Sequence, residues 1–444
     1  MPIPRPALRP WMLAAVAVLP GFVWWLGWYP GFLSSDGIDQ FGQIANGVYF
    51  DHHPAIHTLY LNVLSLGGNL PGLVTLFQLL VLGVLLAYAA RWLVEAGVPA
   101  WLAVGVAWLL GLSPAVAPTT LALWKDVPFA LFMLWAWIEL LALAVDEERA
   151  QRLWPAIRIG VALAGLWLFR GNGPLTVLPV LIALAWVHRH RFRTWAVTAG
   201  TVALIVFLVV GPLYALVDVQ GSGIEPAQVF LPDIAASYNH EPETFTEADI
   251  ELIESVAPPL IWTERYDCYD STPLLFDPFF DQAPVRESPG PFRQLVVDVM
   301  VRDFDSVLAH RVCAANYLYA PAQPADAYFH RPPYDIPPNT LGLVRNPIIG
   351  AAFDLTDRVW RWAEIESRLW LTWRPAILLL PALAAAVFLA IRGPRTLLPS
   401  ALLGAHTLNL FLTSPAQEFR YAFPVYLISA LTLTLLWPAV RRGD

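Results

Sequence analysis

Charge is scarce in this chain, and lysine is nearly missing. Charged side chains make up 14% of the 444 residues and hydrophobic ones 57%, against roughly 25% charged in an ordinary soluble domain. That scarcity excludes water as the main solvent of the fold and leaves lipid. A single lysine, Lys125, stands among 27 basic residues. No internal repeat and no low-complexity tract is present. The first apolar stretch is too long for a signal peptide and lacks a convincing small-residue cleavage site after it, so it reads as a retained anchor.

What is present is apolar length. A hydrocarbon core about 30 Å thick takes roughly 20 mostly apolar helical residues per crossing. Stretches of that kind run near residues 11 to 29, 71 to 90, 98 to 117, 127 to 145, 154 to 169, 174 to 187, 194 to 217, 375 to 391, 396 to 413 and 421 to 440. The fifth and sixth are short and read either as spans or as a re-entrant hairpin shielded from lipid by other helices. Arginines set the sidedness, because short cytoplasmic loops retain positive charge. Arg5 and Arg9 precede the first span, Arg91 follows the second, and Arg149 and Arg152 follow the fourth. Arg189, Arg191 and Arg193 follow the sixth, Arg392 and Arg395 separate the eighth from the ninth, and Arg441 and Arg442 close the chain. The pattern predicts an all-α polytopic membrane protein with about ten transmembrane helices and both termini in the cytoplasm. Residues 1–217 form an N-terminal membrane module, 218–370 an extracytoplasmic domain inserted between spans seven and eight, and 371–444 the C-terminal helices.

The inserted segment differs in kind, with 24 acidic against 10 basic side chains. An acidic exterior argues against a nucleic-acid partner, since phosphate contacts need clustered Lys and Arg. Its expected structure is mainly helical and irregular. Thr246, Glu247, Ala248 and Asp249 start one helix in a capping-box-like pattern, residues 292 to 315 have helical apolar spacing, and residues 354 to 370 read as an amphipathic helix suited to a membrane surface. Both cysteines, Cys268 and Cys313, lie here, in a compartment that permits a disulfide. Spacing alone leaves a bridge and two buried thiols both open.

A few polar residues in the short outward loops run against the positive-inside pattern. Residues 31 to 51 hold Asp36, Asp39 and Asp51 with no basic residue; on one helical turn, the three-residue spacing of Asp36 and Asp39 puts them on a common face. A base at the membrane surface and a solvated acidic loop are the two readings. Lys125, beside Trp124 and Asp126, is a compact cation suited to a phosphate or carboxylate, or else it pairs with Asp126 or snorkels. Arg170, followed by Gly171, Asn172 and Gly173, and Arg420, followed by Tyr421, occupy the next outward turns. Three cations on one side of a bundle could converge on an anionic headgroup; capping of helix carbonyls by Arg170 and an Arg420 to Glu418 pair are the alternatives. His52, His53 and His57 form an H-H-P-x-x-x-H cluster. Adjacent histidines match no zinc-ligand spacing, so a ring contacting substrate or Asp36 is preferred to a divalent metal, and no cofactor is required. Glu139, near the cytoplasmic end of its span, reads as a snorkelling structural residue.

These segments resemble the GT-C superfamily of multi-span glycosyltransferases that use polyprenyl-phosphate-linked sugars, through a poorly characterised bacterial branch. S-S-D-G-I-D-Q at Asp36 is similar to the superfamily's first-loop acidic motif, and D-H-H-P-A-I-H-T to the His-Pro segment after it. L-W-K-D-V-P-F-A-L-F-M-L, L-F-R-G-N-G-P-L and Q-E-F-R-Y-A-F-P-V-Y resemble segments of the branch. The likeness covers roughly residues 11 to 217 and 396 to 440, and scarcely touches the inserted domain. It implies transfer of a sugar, with inversion, from a polyprenyl-phosphate donor to an envelope glycan, lipid or protein at the extracytoplasmic face of the cytoplasmic membrane. The superfamily's Asp-Glu pair is here Asp36 followed by Gly37, a departure that leaves both Asp36 and Asp39 open as the base; Asp36, which matches the motif's first acid, is taken as the base and Asp39 as the alternative. Lys125, Arg170, Asn172, Arg420, Tyr421, His53 and His57 would bind the substrate and its lipid phosphate. A transporter or lipid flippase holding an anionic headgroup without bond cleavage is the rival from another class, and an assembly protein whose outward domain binds an envelope partner is a third reading.

Overall fold

The computed structural model describes residues 10–221, 225–324, 331–393 and 396–441. Arg5, Arg9, Arg395 and Arg442, used above for sidedness, lie outside the described residues. Every regular element among the described residues is helical, and three isolated bridges join loops: Phe32 to Ala122, Phe50 to Gln220 and Asp270 to Ala416.

Among the described residues five helices are long and apolar enough to cross a membrane: Pro71–Glu95, Asp126–Val145, Phe192–Leu216, Glu366–Arg392 and Phe419–Val440. Shorter apolar helices, Ala100–Leu112, Leu153–Phe169, Gly173–Val187 and Leu397–Thr413, pack among them. The two read as short spans are helices of 17 and 15 residues, and at about 1.5 Å rise per residue each falls short of the hydrocarbon thickness. The 98 to 117 stretch is not one helix. Ala100–Leu112 stops at Ser113, which is extended (φ −60°, ψ 127°), and Val116–Thr120 begins anew. Pro114 is the cause, since its ring drives the preceding residue out of the α region. Lipid tails provide no hydrophobic drive for helix association, so close backbone approach at small residues matters more. At Gly111 an added Cβ would lie 2.5 Å from the Ala17 carbonyl oxygen, and at Gly160 2.9 Å from that of Thr198.

The inserted segment has its own core, built from Ile234, Trp262, Leu274, Phe292 and Val299 among others. Thr246 caps the helix Glu247–Val256 reciprocally with Asp249, at 3.2 and 3.0 Å. The apolar run from 292 to 315 is two helices, Pro289–Arg302 and Phe304–Ala314, because Asp303 turns back to cap the second through the Ser306 N–H. A disulfide joins Cys268 to Cys313, with Cα atoms 5.7 Å apart. The amphipathic helix runs Gly350–Ala363, four residues earlier in its start than the sequence reading. Ala352, Thr356, Trp360 and Ala363 are its buried face, against the helix Pro10–Gly27. There Trp28 donates from Nε1 to Thr356 Oγ1 (2.9 Å) and stacks on Phe32 at 4.7 Å.

Arg374 stitches the two parts together. It is fully buried, and its guanidinium donates to Asn316 Oδ1 (2.7 Å), the Ala320 carbonyl (2.8 Å) and Gln417 Oε1 (3.1 Å). One cation thereby joins the short helix Asn316–Tyr319, the start of Ala376–Arg392 and the loop before Phe419. Glu139 needs a correction. It does not snorkel: it is 1% exposed, pairs with Arg149 (3.2 Å) and Arg158, and accepts from Tyr88 and Trp135. The arginines of that loop and helix fold inward over it, so the charge is neutralised inside the bundle.

Candidate active site

Loop-to-loop pairing assembles the site. The Phe32 N–H donates to the Leu121 carbonyl and the Leu123 N–H returns to that of Phe32, both at 2.9 Å. Trp124 Nε1 then donates to Ser34 Oγ at 2.8 Å. These bonds clamp the start of the helix Ser35–Asn46 beside the start of Asp126–Val145. Asp36 in the first turn of one helix and Lys125 at the cap of the other therefore face a common space. Arg420, in the first turn of Phe419–Thr434, closes it from a third side.

Arg420 Nη1 donates to Asp36 Oδ2 at 2.9 Å and Nη2 to Glu418 Oε1 at 3.2 Å, while its guanidinium lies over the Trp124 ring at 5.1 Å. Lys125 Nζ is 2.9 Å from His53 Nδ1, and His53 Nε2 is 4.0 Å from Asp36 Oδ1. The pocket among Asp36, Gln40, His53, Lys125 and Arg420, with Trp124 and Asp126 on its wall, has a free volume of about 10 Å³. That is room for about one water molecule. Burial pushes the Asp36 carboxyl up, but Arg420, then His53 and Lys125, outweigh it and hold it at about 2. Burial, with Lys125 beside it, drives His53 down to about 3. Burial also lowers Lys125, opposed by Asp126 and Asp36.

Of the residues singled out in the sequence, the structure brings together Asp36, His53, Lys125 and Arg420. Asp39 is elsewhere: its side chain is half exposed, accepts from Gln43 at 2.8 Å and faces His52 at 3.5 Å. Three residues along a helix leave a 60° offset, enough to put Asp36 over the pocket and Asp39 outside it. Arg170 does not line the pocket. Its Nη1 is 3.0 Å from Asp126 Oδ1, and it lies over the Tyr421 ring at 4.9 Å, so it stands behind Asp126. Tyr421 is the aromatic layer between Arg170 and Arg420. Asn172 donates to Thr413 Oγ1 at 2.7 Å and joins Gly173–Val187 to Leu397–Thr413. His57 is fully buried one layer down, with Nδ1 2.9 Å from Gln40 Oε1.

Gln40 and Trp124 were not picked out by sequence reasoning, whereas the Arg420 to Glu418 pair named there as an alternative is present alongside the Asp36 contact. Gln40 had a signal, its place one turn beyond Asp36 on the same face. Within this site Asp36, Asp126 and Glu418 balance Lys125, Arg170 and Arg420, so the closed arrangement is neutral overall.

Helical throughout, with apolar helices of membrane-crossing length and a buried charged pocket where three loops meet, the molecule belongs to the all-helical membrane proteins. Residues 46–271, just over half of the chain, match the model of a family of unknown function, DUF6020, and the chain belongs to that family. The matched stretch includes His53, Lys125 and Arg170 but neither Asp36 nor Arg420. No curated protein and no solved structure matches it.

Proposed function

We propose that this protein is a GT-C-like glycosyltransferase that moves a sugar, with inversion, from a polyprenyl-phosphate carrier to an envelope acceptor. On this reading the chain spans the cytoplasmic membrane about ten times with both termini inside, and the pocket and residues 218–370 face outward. The carrying observation is the meeting of Asp36 with Arg420, Lys125 and His53 in one pocket, from segments up to 384 residues apart in sequence. A sugar leaving as polyprenyl phosphate departs on an anionic group and needs no proton donor. The paired carboxylates of a glycoside hydrolase are then unnecessary. Asp36 takes the proton of the acceptor hydroxyl as it attacks the anomeric carbon. Lys125 and Arg420 stabilise charge growing on the departing phosphate, while Arg170 orients Asp126 behind them.

The neutral resting site adds a step. Donor phosphate must draw Arg420 away from Asp36, and that exchange both opens the pocket and releases the carboxylate from its strongest stabilising partner. The cations also gather at one end of the bundle, which favours chemistry at a surface over passage of a headgroup through it. The reading is tested with purified protein in lipid, supplied with polyprenyl-phosphate-linked hexoses and pentoses and with sugar-hydroxyl acceptors. The wild type is expected to form product, and Asp36→Asn to lose about a thousandfold or more in turnover.

A further inference from the structure

The contact between Lys125 and His53 decides where the histidine keeps its proton. A lysine ammonium has three donors and no acceptor, so at 2.9 Å it can meet His53 Nδ1 only if that nitrogen offers a lone pair. His53 is then a neutral imidazole with its proton on Nε2. The low basicity of the ring, held down by burial and by Lys125, agrees with this. Nε2 faces Asp36 Oδ1 across 4.0 Å, too far for a direct hydrogen bond. One oxygen atom placed about 2.8 Å from both fits between them, a normal hydrogen-bond length to each. The two bonds would meet at that oxygen at roughly a right angle, close to the natural angle of a hydroxyl. The pocket's free volume of about 10 Å³ is of that one-oxygen size.

Resting on the transferase reading above, we propose that His53 is a second residue touching the acceptor: its Nε2–H donates to the acceptor hydroxyl oxygen whose proton Asp36 accepts, and this restricts the acceptor to hydroxyl groups. The oxygen so held donates its proton to Asp36 Oδ1 and accepts from His53, leaving one lone pair for the anomeric carbon. As the new C–O bond forms, the proton passes to Asp36. The bond from the anomeric carbon to the carrier phosphate breaks, and its electron pair leaves on the phosphate oxygen. An amide nitrogen fails in this position, because its lone pair is delocalised into the carbonyl and cannot accept from Nε2–H. Of the acceptor classes left open by the sequence, those offering a sugar, lipid or serine-type hydroxyl fit, and an asparagine side chain does not.

The test uses the full chain in lipid nanodiscs with polyprenyl-phosphate-linked hexoses and pentoses, an alkyl glycoside as hydroxyl acceptor and an asparagine peptide as amide acceptor. Wild type is expected to glycosylate the glycoside alone. His53→Ala is expected to lower kcat/KM for the glycoside about tenfold to a hundredfold, the range of one lost hydrogen bond to a reacting group, with the KM for donor unchanged. His53→Gln, which keeps an N–H donor, should recover part of the loss, and melting curves matching wild type separate these losses from misfolding. Nitrogen-15 spectra of labelled histidine at neutral pH should show His53 as the neutral Nε2–H form. Unchanged acceptor kinetics in His53→Ala, comparable transfer to the peptide, or a His53 found as imidazolium or as the Nδ1–H form would each overturn the inference while leaving Asp36 as base. A wild type that transfers nothing would count against the transferase reading instead, and the spectrum then judges the His53 geometry alone.

Discussion

Asp36 and Asp39, three residues apart on one helix, differ by about 60° in direction, and that small angle separates two chemical environments. Asp36 is held by Arg420 near a pKa of about 2, so it is ionised across any ordinary assay range. His53, at about 3, stays neutral over the same range. The pH profile of kcat/KM reports groups of the free enzyme, so it should carry no inflection from either residue between about pH 5 and 8; a step near 6.5 that vanishes in His53→Gln would contradict this. The sign for stability follows from linkage. Unfolded His53 takes up a proton at its ordinary 6.5 while the folded ring resists until about 3, so its contribution is complete above 6.5 and fades as pH falls through that window. Urea midpoints measured from pH 7 to 4 should fall less in His53→Gln than in wild type. Asp39→Asn, lying outside the pocket, is expected to keep turnover within about threefold. Lone charges in an apolar chain were legible in sequence as site candidates; Gln40 and Trp124, uncharged and common in type, gave much less away.

At the level of helices, the apolar lengths were readable and their interruptions only partly so. Pro114 explains the broken stretch after Leu112, yet a proline inside a long apolar run did not by itself announce a break, since Pro179 and Pro424 sit within intact helices. Glu139 was misread because its partners, Arg149 and Arg158, belong to the next loop and helix, and nothing local in sequence says that they fold back. The buried cluster makes a clear expectation: Glu139→Ala leaves two arginines facing each other without their carboxylate and should cost about 3–5 kcal/mol, visible as a lowered melting temperature in detergent. Arg374→Ala should cost a similar amount, because it orphans the carbonyl of Ala320 and the side chains of Asn316 and Gln417, each loss being about 1–3 kcal/mol. A melt unchanged in either variant would remove these clusters from the account of stability.

Across the whole molecule, sidedness and the inserted domain act together. On the proposed topology the pocket and residues 218–370 lie on the exterior, an oxidising side suited to the Cys268–Cys313 bridge, which closes a 45-residue separation; constraining a loop of that length is worth about 4 kcal/mol by chain entropy. Reduction should therefore lower the melting temperature without unfolding the apolar bundle. In intact cells a membrane-impermeant thiol reagent should label Phe279→Cys, on an exposed domain residue, and should reach His190→Cys at the opposite end only after permeabilisation. The acidity of residues 218–370 was legible from composition, whereas the Arg374 contacts to Asn316, Ala320 and Gln417 and the Cys268–Cys313 bridge depend on residues distant in sequence. The central claim is that the Asp36 carboxylate is the base of a sugar transfer, and it is tested most directly by single-turnover transfer from radiolabelled polyprenyl-phosphate sugars to an alkyl glycoside, wild type against Asp36→Asn. The account predicts product from wild type and about a thousandfold slower formation from Asp36→Asn at unchanged donor binding; equal rates from the two proteins would contradict it.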